Sequence, residues 1–217
     1  ADGMGGKSGG RKAAEQIVMV ARHLFEAAAP GHENASDLLR TLVTQAHTAV
    51  KLTAVTTDQE PHGTLAAFLI EPDRQCHIVH AGDSRVYHFR GGRLVGRTRD
   101  HSLVQQMVDR GEITQDEARD HPRSNVLLGC IGGPTDPPLD VAAVGELQTG
   151  DALLACSDGL WHYYTDTELG QIIARLTPAE ASRALVDEAR LRAGGHGDNI
   201  SLAIVKIEPA PAPETRL

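Results

Sequence analysis

Apolar residues recur every three or four positions through residues 10–29, where Ala13, Ala14, Ile17, Val18, Ala21, Leu24, Phe25 and Ala28 form one stripe with charged residues opposite. The spacing predicts an amphipathic helix stopped by Pro30 and Gly31. A second stripe, Leu38, Leu39, Leu42, Val43, Ala46 and Val50, predicts a helix from an N-cap at Ser36 to about Ala54. The period then changes. Residues 64–70 and 75–81 read as strands joined by Glu71-Pro72-Asp73-Arg74, and 86–89 and 93–95 as strands flanking Gly91-Gly92. Such short connections demand antiparallel neighbours. Residues 97–133 break the pattern, with a helix over 102–110 closed by Gly111 and another opened by a Thr114/Glu117 capping box. This excursion reads as a surface flap. Residues 141–147 and 152–156 predict a hairpin around Thr149-Gly150-Asp151. Helices follow at about 166–176 and 178–193, the second with Thr177 as cap, Pro178 at its first position and Glu180 completing the box. Residues 200–207 read as a last strand, and 209–217, rich in Pro and Ala, as a disordered tail.

Helices, then mostly antiparallel strands, then helices and a strand make an α+β layered fold. We read residues 1–208 as a single domain with a flap over about 97–133. Composition narrows the partners. A net charge of -8 and 3% aromatic residues leave little to clamp a phosphate backbone or stack bases, so no nucleic-acid partner is expected. No apolar run approaches the ~18 residues of a membrane span. The three cysteines, Cys76, Cys130 and Cys156, lie far apart, two of them inside apolar strand-like runs. They read as reduced thiols, and the protein as cytoplasmic.

Candidate chemistry lies where apolar runs meet glycine. Asp2 stands in ADGMGGKS at residues 1–8, and the strand at 75–81 runs into Gly82-Asp83-Ser84-Arg85. The run at 152–156 leads to Ser157-Asp158-Gly159-Leu160, and Gly194-Gly195-His196-Gly197-Asp198-Asn199 leads into the last strand. Taken singly, each Gly-Asp or Asp-Gly reads as a turn, and Asp83 with Arg85 as a surface ion pair. Taken together, strand ends that meet at one edge would bring these carboxylates face to face. Their repulsion and burial call for a cation. Oxygen ligands without His or Cys at matching spacing favour Mg²⁺ or Mn²⁺ over Zn²⁺. Two such ions can ready a water and polarise a phosphoryl group. ADGMGGKS also admits a P-loop ending Gly6-Lys7-Ser8, but Asp2 would then place a carboxylate in a phosphate cradle, and the strands do not alternate with helices.

The ordered set ADGMGG, HGT at 62–64, AGDSR at 81–85, DHS at 100–102, HP at 121–122, SDGL at 157–160 and GGHGDN at 194–199 resembles the metal-dependent serine/threonine phosphatases of the bacterial protein phosphatase 2C type. The resemblance implies two stacked antiparallel β-sheets flanked by helices, an α-β-β-α sandwich. It implies that Asp2 bridges two metal ions and that Gly3 offers its carbonyl to one, while Asp158 and Asp198 complete the shell of the other. Asp83 would lie near a third, weaker ion position that Asp158 shares and the flap covers. Asn125 would be a flap contact to that ion, and Asn199 would orient Asp198. The implied reaction is hydrolysis of phosphoserine and phosphothreonine by metal-activated water, with no phosphoenzyme. Its substrates would be phosphorylated proteins and its opponent a serine/threonine protein kinase. We expect a monomer with no membrane partner.

Two departures from the family pattern matter. Relatives carry a phosphate-binding Arg and an acidic ligand on strands ahead of the DGMGG turn, and these strands are missing here. The expectation is that an N-terminal segment of the natural protein precedes Ala1. The alternative is a catalytically defective regulatory or phosphopeptide-binding module. Met4 also replaces a histidine suited to act as general acid, with His62 and His121 as conceivable substitutes and surface roles the simpler reading for both. Lys7 and Arg11, beside the metal turn, read as solvent-exposed. Cysteine-phosphatase chemistry fails outright, because Gly82, Asp136 and His162 stand six places after the three cysteines where an Arg is needed.

Overall fold

A computed structural model of the chain describes residues 1–4, 6–28, 34–55 and 60–209. Pro30, Gly31 and the tail beyond Pro209 lie outside the described residues, as do the side chains of Lys7 and Ser8. The elements run β1 (Asp2–Met4), α1 (Gly6–Ala27), α2 (Ala35–Val55), β2 (His62–Ile70), β3 (Gln75–Ala81), β4 (Arg85–Arg90), β5 (Arg93–Arg97), α3 (Leu103–Asp109) and α4 (Gln115–Arg119). They continue with β6 (Asp140–Glu146), β7 (Asp151–Cys156), α5 (Asp158–Trp161), α6 (Asp166–Arg175), α7 (Pro178–Arg192) and β8 (Leu202–Lys206). Among the described residues the strands form two four-stranded sheets, β1-β2-β3-β6 and β5-β4-β7-β8, with every pairing antiparallel.

Alternation along the strands builds the layers. On β2, Leu65, Ala67 and Leu69 face α1 and α2, packing with Ile17, Leu39, Leu42 and Val50. Phe68 and Ile70, one step out of phase, face inward with Cys76, Ile78 and Leu153 between the sheets. On β7, Ala152, Leu154 and Cys156 turn outward to α5, α6 and α7, against Leu160, Leu169 and Leu185. The result is the α-β-β-α sandwich. Cys76 and Cys156 are buried and all three thiols are free.

Two expectations are corrected. The cap of α2 is Asn34 rather than Ser36, since the Asn34 Oδ1 accepts from the amides of Ser36 (2.9 Å) and Asp37 (3.2 Å). Residues 141–147 and 152–156 are not a hairpin: β6 pairs with β3, whereas β7 pairs with β4 and β8. Gln148 to Gly150 therefore step from one sheet to the other. Asp151, the first residue of β7, explains the choice. Its fully buried carboxylate receives Arg90 Nε (2.6 Å) and Nη2 (2.9 Å) from β4 and the Gln148 amide (2.8 Å) from the turn. Burial alone would raise the Asp151 carboxyl, but the bonds from Arg90, Gln148 and His88 outweigh it and hold it at about 2. Removing this carboxylate leaves a guanidinium half in water, so Asp151→Ala is expected to cost about 2–3 kcal/mol, less than a fully buried broken pair. A urea titration reads that loss. The unfolded carboxyl titrates near ~4, so the stabilisation is complete above that pH and fades as pH falls through about 2.

Candidate metal centre

Each predicted aspartate sits where an element begins or ends. Asp2 opens β1, across from Thr64, and Met4 lies across from His62. Asp83 sits in the crossing from β3 to β4, where the chain changes sheets. That crossing needs Gly82: its φ is +101° and a Cβ there would meet the Thr64 side chain at 2.5 Å. Asp158 is the first residue of α5, directly beyond the buried end of β7. Its Oδ1 accepts the Gly159 amide at 2.8 Å. Asp198 lies in the loop before β8, and the Asn199 amide donates to its Oδ1 at 2.7 Å. Ser157 ties this loop to α5, with its Oγ donating to the Asn199 carbonyl (3.3 Å) and accepting the Ser201 amide (3.1 Å). The approach is tight enough that a Cβ on Gly159 would come within 2.3 Å of the Asn199 carbonyl oxygen.

These placements bring all four carboxylates together. Asp2 lies close enough to Asp158 and Asp198 for the charges of both to act on it. Burial, then the charge of Asp158 and then that of Asp198 push the Asp2 carboxyl up to about 7. Asp83 is likewise pushed up to about 7, by burial first and then by Asp158 and Asp100. A cleft of about 260 Å³ is lined by Asp83, Asp158, Asp198 and Asn125, together with Ser124, Trp161, His162, Tyr163 and His196. On the other side of Asp198 a second cleft, about 580 Å³, is lined by Asp2, Gly3, Met4 and Asn199. Arg11 also borders it, but its guanidinium is committed to Glu15 at 2.7 Å.

Among the described residues, no three of these carboxylates have oxygens mutually within 4.8 Å. The donors are spread, as suits several ions rather than one cage. One group does cluster that tightly, His80, His101 and Asp140. It is a poor ion cage. The imidazoles stack at 4.3 Å and 16°, so their in-plane lone pairs run side by side, and His101 Nδ1 already accepts the Gly82 amide at 3.1 Å. His80 Nε2 donates to the Arg99 carbonyl at 2.7 Å. The cluster pins the root of the flap instead.

Comparison with known proteins places the chain. The Protein phosphatase 2C profile matches residues 1–191. The chain belongs to the protein phosphatase 2C family. It is 32% identical over 212 residues to the serine/threonine protein phosphatase PstP of Mycobacterium tuberculosis, covering 95% of this chain and 39% of that one. It is 32% identical over 210 residues to the serine/threonine phosphatase stp of Listeria monocytogenes, covering 95% and 82% of the two chains. The crystal structure of the PstP catalytic domain in complex with two manganese ions superposes with a TM-score of 0.79 at 28% identity, covering 95% of this chain and 85% of that one. The P-loop reading falls with the fold: β1 joins an antiparallel sheet, where a nucleotide-binding loop needs parallel strands.

Within this phosphatase fold, the sequence pattern did not mark some of the cleft residues, and the alternative of an Asp83–Arg85 surface pair falls. Trp161 and His162 follow Asp158 by three and four places on a single helical turn, the spacing that shares a face, but α5 is too short to announce itself by periodicity. Arg85 is not a surface partner of Asp83. It is buried, with Nε and Nη2 donating to both oxygens of Asp100 at 2.8 and 2.7 Å. Of the proposed substitutes for Met4, His62 lies beside it in the neighbouring strand, whereas His121 Nδ1 accepts the Arg123 amide within the flap.

Proposed function

We propose that this protein is a metal-dependent phosphoprotein phosphatase that hydrolyses phosphoserine and phosphothreonine. The observation that carries the reading is the Asp2–Asp158 pair flanked by Asp83 and Asp198, with two of the four carboxyls driven to about 7. Such a set gains most from hard divalent cations, and its all-oxygen donors fit Mn²⁺ or Mg²⁺. Asp2, Asp158 and Asp198, with the Gly3 carbonyl, would hold two ions, and Asp83 with Asp158 a weaker third. Bound there, the ions supply Lewis acidity toward water and the phosphoryl oxygens. The chain's own residues do the rest. The Gly159 and Asn199 amides each donate to Oδ1 of the preceding aspartate, which orients the Asp158 and Asp198 carboxylates. Asn125 and Ser124, on the flap side of the cleft, face the space a phosphorylated side chain would enter.

Residues 1–208 act as one catalytic domain in this reading, and 97–133 as the flap that shapes access. The PstP and Listeria relatives, named for serine/threonine phosphatase activity, support phosphorylated proteins as substrates. We place the protein in the cytoplasm, as a monomer opposed to a serine/threonine kinase. The three free cysteines, two of them buried, support that placement. Released phosphate tests the function. With Mn²⁺ the full-length protein is expected to hydrolyse a phosphothreonine peptide and p-nitrophenyl phosphate, and EDTA to abolish both activities. Peptide binding without phosphate release would instead establish a binding module.

A further inference from the structure

Asp83 lies in a crossing rather than in a helix or strand, and what steadies it comes from elsewhere. The Trp161 indole N–H donates to the Asp83 backbone carbonyl at 2.9 Å. The face of the same indole carries the Arg85 guanidinium, 3.4 Å from the ring centroid. Arg85 cannot drift: both ends of its bidentate pair with Asp100 are more than nine-tenths buried, and its Nη1 donates to the Tyr87 hydroxyl at 3.1 Å. Asp100 belongs to the root of the flap, where the His101 amide donates to the Gly82 carbonyl at 2.9 Å and the Gly82 amide returns a bond to His101 Nδ1 at 3.1 Å. A planar guanidinium fixed by a fork of hydrogen bonds holds a stacked ring in one orientation. The ring in turn aims its single donor.

Trp161 is not there to fill the core. It is only partly buried and stands between two clefts, lining both the carboxylate cleft and a groove of about 190 Å³ that continues under the flap past Ser124. It also sits one turn after Asp158 on α5. One side chain thus touches the Asp83 crossing, the Asp158 helix and, through Arg85, the flap root.

We propose that Trp161 is a positioning residue that sets Asp83 relative to Asp158, so that the weaker cation position shared by these two carboxylates depends on its indole N–H. The inference rests on the reading of Asp83 as a ligand under Proposed function. The experiment keeps the two separable by titrating the full-length protein with Mn²⁺ alone in a calorimeter, with no activity readout. Wild type is expected to show two tighter events and one weaker event, and Asp83→Asn to lose the weaker one. Trp161→Phe keeps an aromatic ring for Arg85 and removes the N–H donor together with the five-membered ring that carries it. It is expected to weaken the third event about three- to ten-fold, the equivalent of one hydrogen bond, and to leave the tighter events unchanged. A general structural defect would move all three. No weaker event in wild type, or one that survives Asp83→Asn, overturns the Asp83 assignment and the proposal together. A weaker event lost in Asp83→Asn but unchanged in Trp161→Phe overturns the proposal alone. A second readout needs no change at Trp161, the chain's only tryptophan. Its emission is expected to change through the weaker phase in wild type and to stay flat there in Asp83→Asn, and a flat wild-type signal through that phase overturns the proposal.

Discussion

Asp158→Asn is expected to cut Mn²⁺-dependent hydrolysis of a phosphothreonine peptide by more than about 100-fold while the protein still folds. Substituting a residue that merely orients a metal ligand typically costs 10–100-fold. In the proposed site Asp158 is itself a ligand. Its charge contributes to the fields that raise both Asp2 and Asp83. In that site it is a ligand of one of the two tighter ions and shares the weaker position with Asp83. Asn keeps the shape, and its side-chain oxygen can still accept the Gly159 amide that Asp158 Oδ1 accepts at 2.8 Å. What it removes is one negative charge, so the loss is expected in turnover and in the Mn²⁺ concentration needed, with thermal unfolding of the metal-free protein unchanged or improved. Turnover equal to wild type at limiting Mn²⁺ would take Asp158 out of the site.

The second large effect is on stability, and its sign follows from the two raised carboxyls. In the unfolded chain Asp2 and Asp83 release their protons near ~4, whereas in the folded protein without cations they hold them up to about 7. Between these limits the native state binds more protons than the unfolded one, so metal-free stability falls as pH rises through that window. A divalent cation replaces those protons and removes the penalty. At pH 7, with Mn²⁺ at about 100 times its Kd, the melting temperature is expected to rise by about 5–10 °C. Near pH 4.5 protons compete for the same oxygens and the rise should shrink to about 2 °C or less. Scanning fluorimetry at several pH values with and without EDTA separates the cases. A Mn²⁺ shift that does not depend on pH would mean that the ions bind somewhere other than these carboxylates.

What was legible beforehand followed from local rules. Helix α1 declared itself by its stripe and α7 by its cap, where Thr177 and Glu180 form the reciprocal capping box that their spacing promises. The four aspartates were readable because each abuts an apolar run and a glycine, a pattern that puts a charge at the buried end of an element. What stayed hidden depends on partners distant in sequence. Thr149-Gly150-Asp151 marks a reversal, but only the capture of Asp151 by Arg90, 61 residues away, decides which sheet β7 joins. Asp83 and Arg85 looked paired by proximity along the chain. The flap root supplies Asp100 instead, and the crossing turns Arg85 into the body under Trp161. Asn199 was expected to orient Asp198, and its backbone amide makes that contact, a bond that side-chain identity cannot announce.

Anomalous diffraction at the manganese edge, from crystals of the full-length protein grown with Mn²⁺, tests the metal centre most directly. Peaks are expected within bonding distance of Asp2, Asp158 and Asp198, with a weaker one between Asp83 and Asp158. Manganese bound elsewhere, with these four carboxylates meeting only one another and solvent, would contradict it.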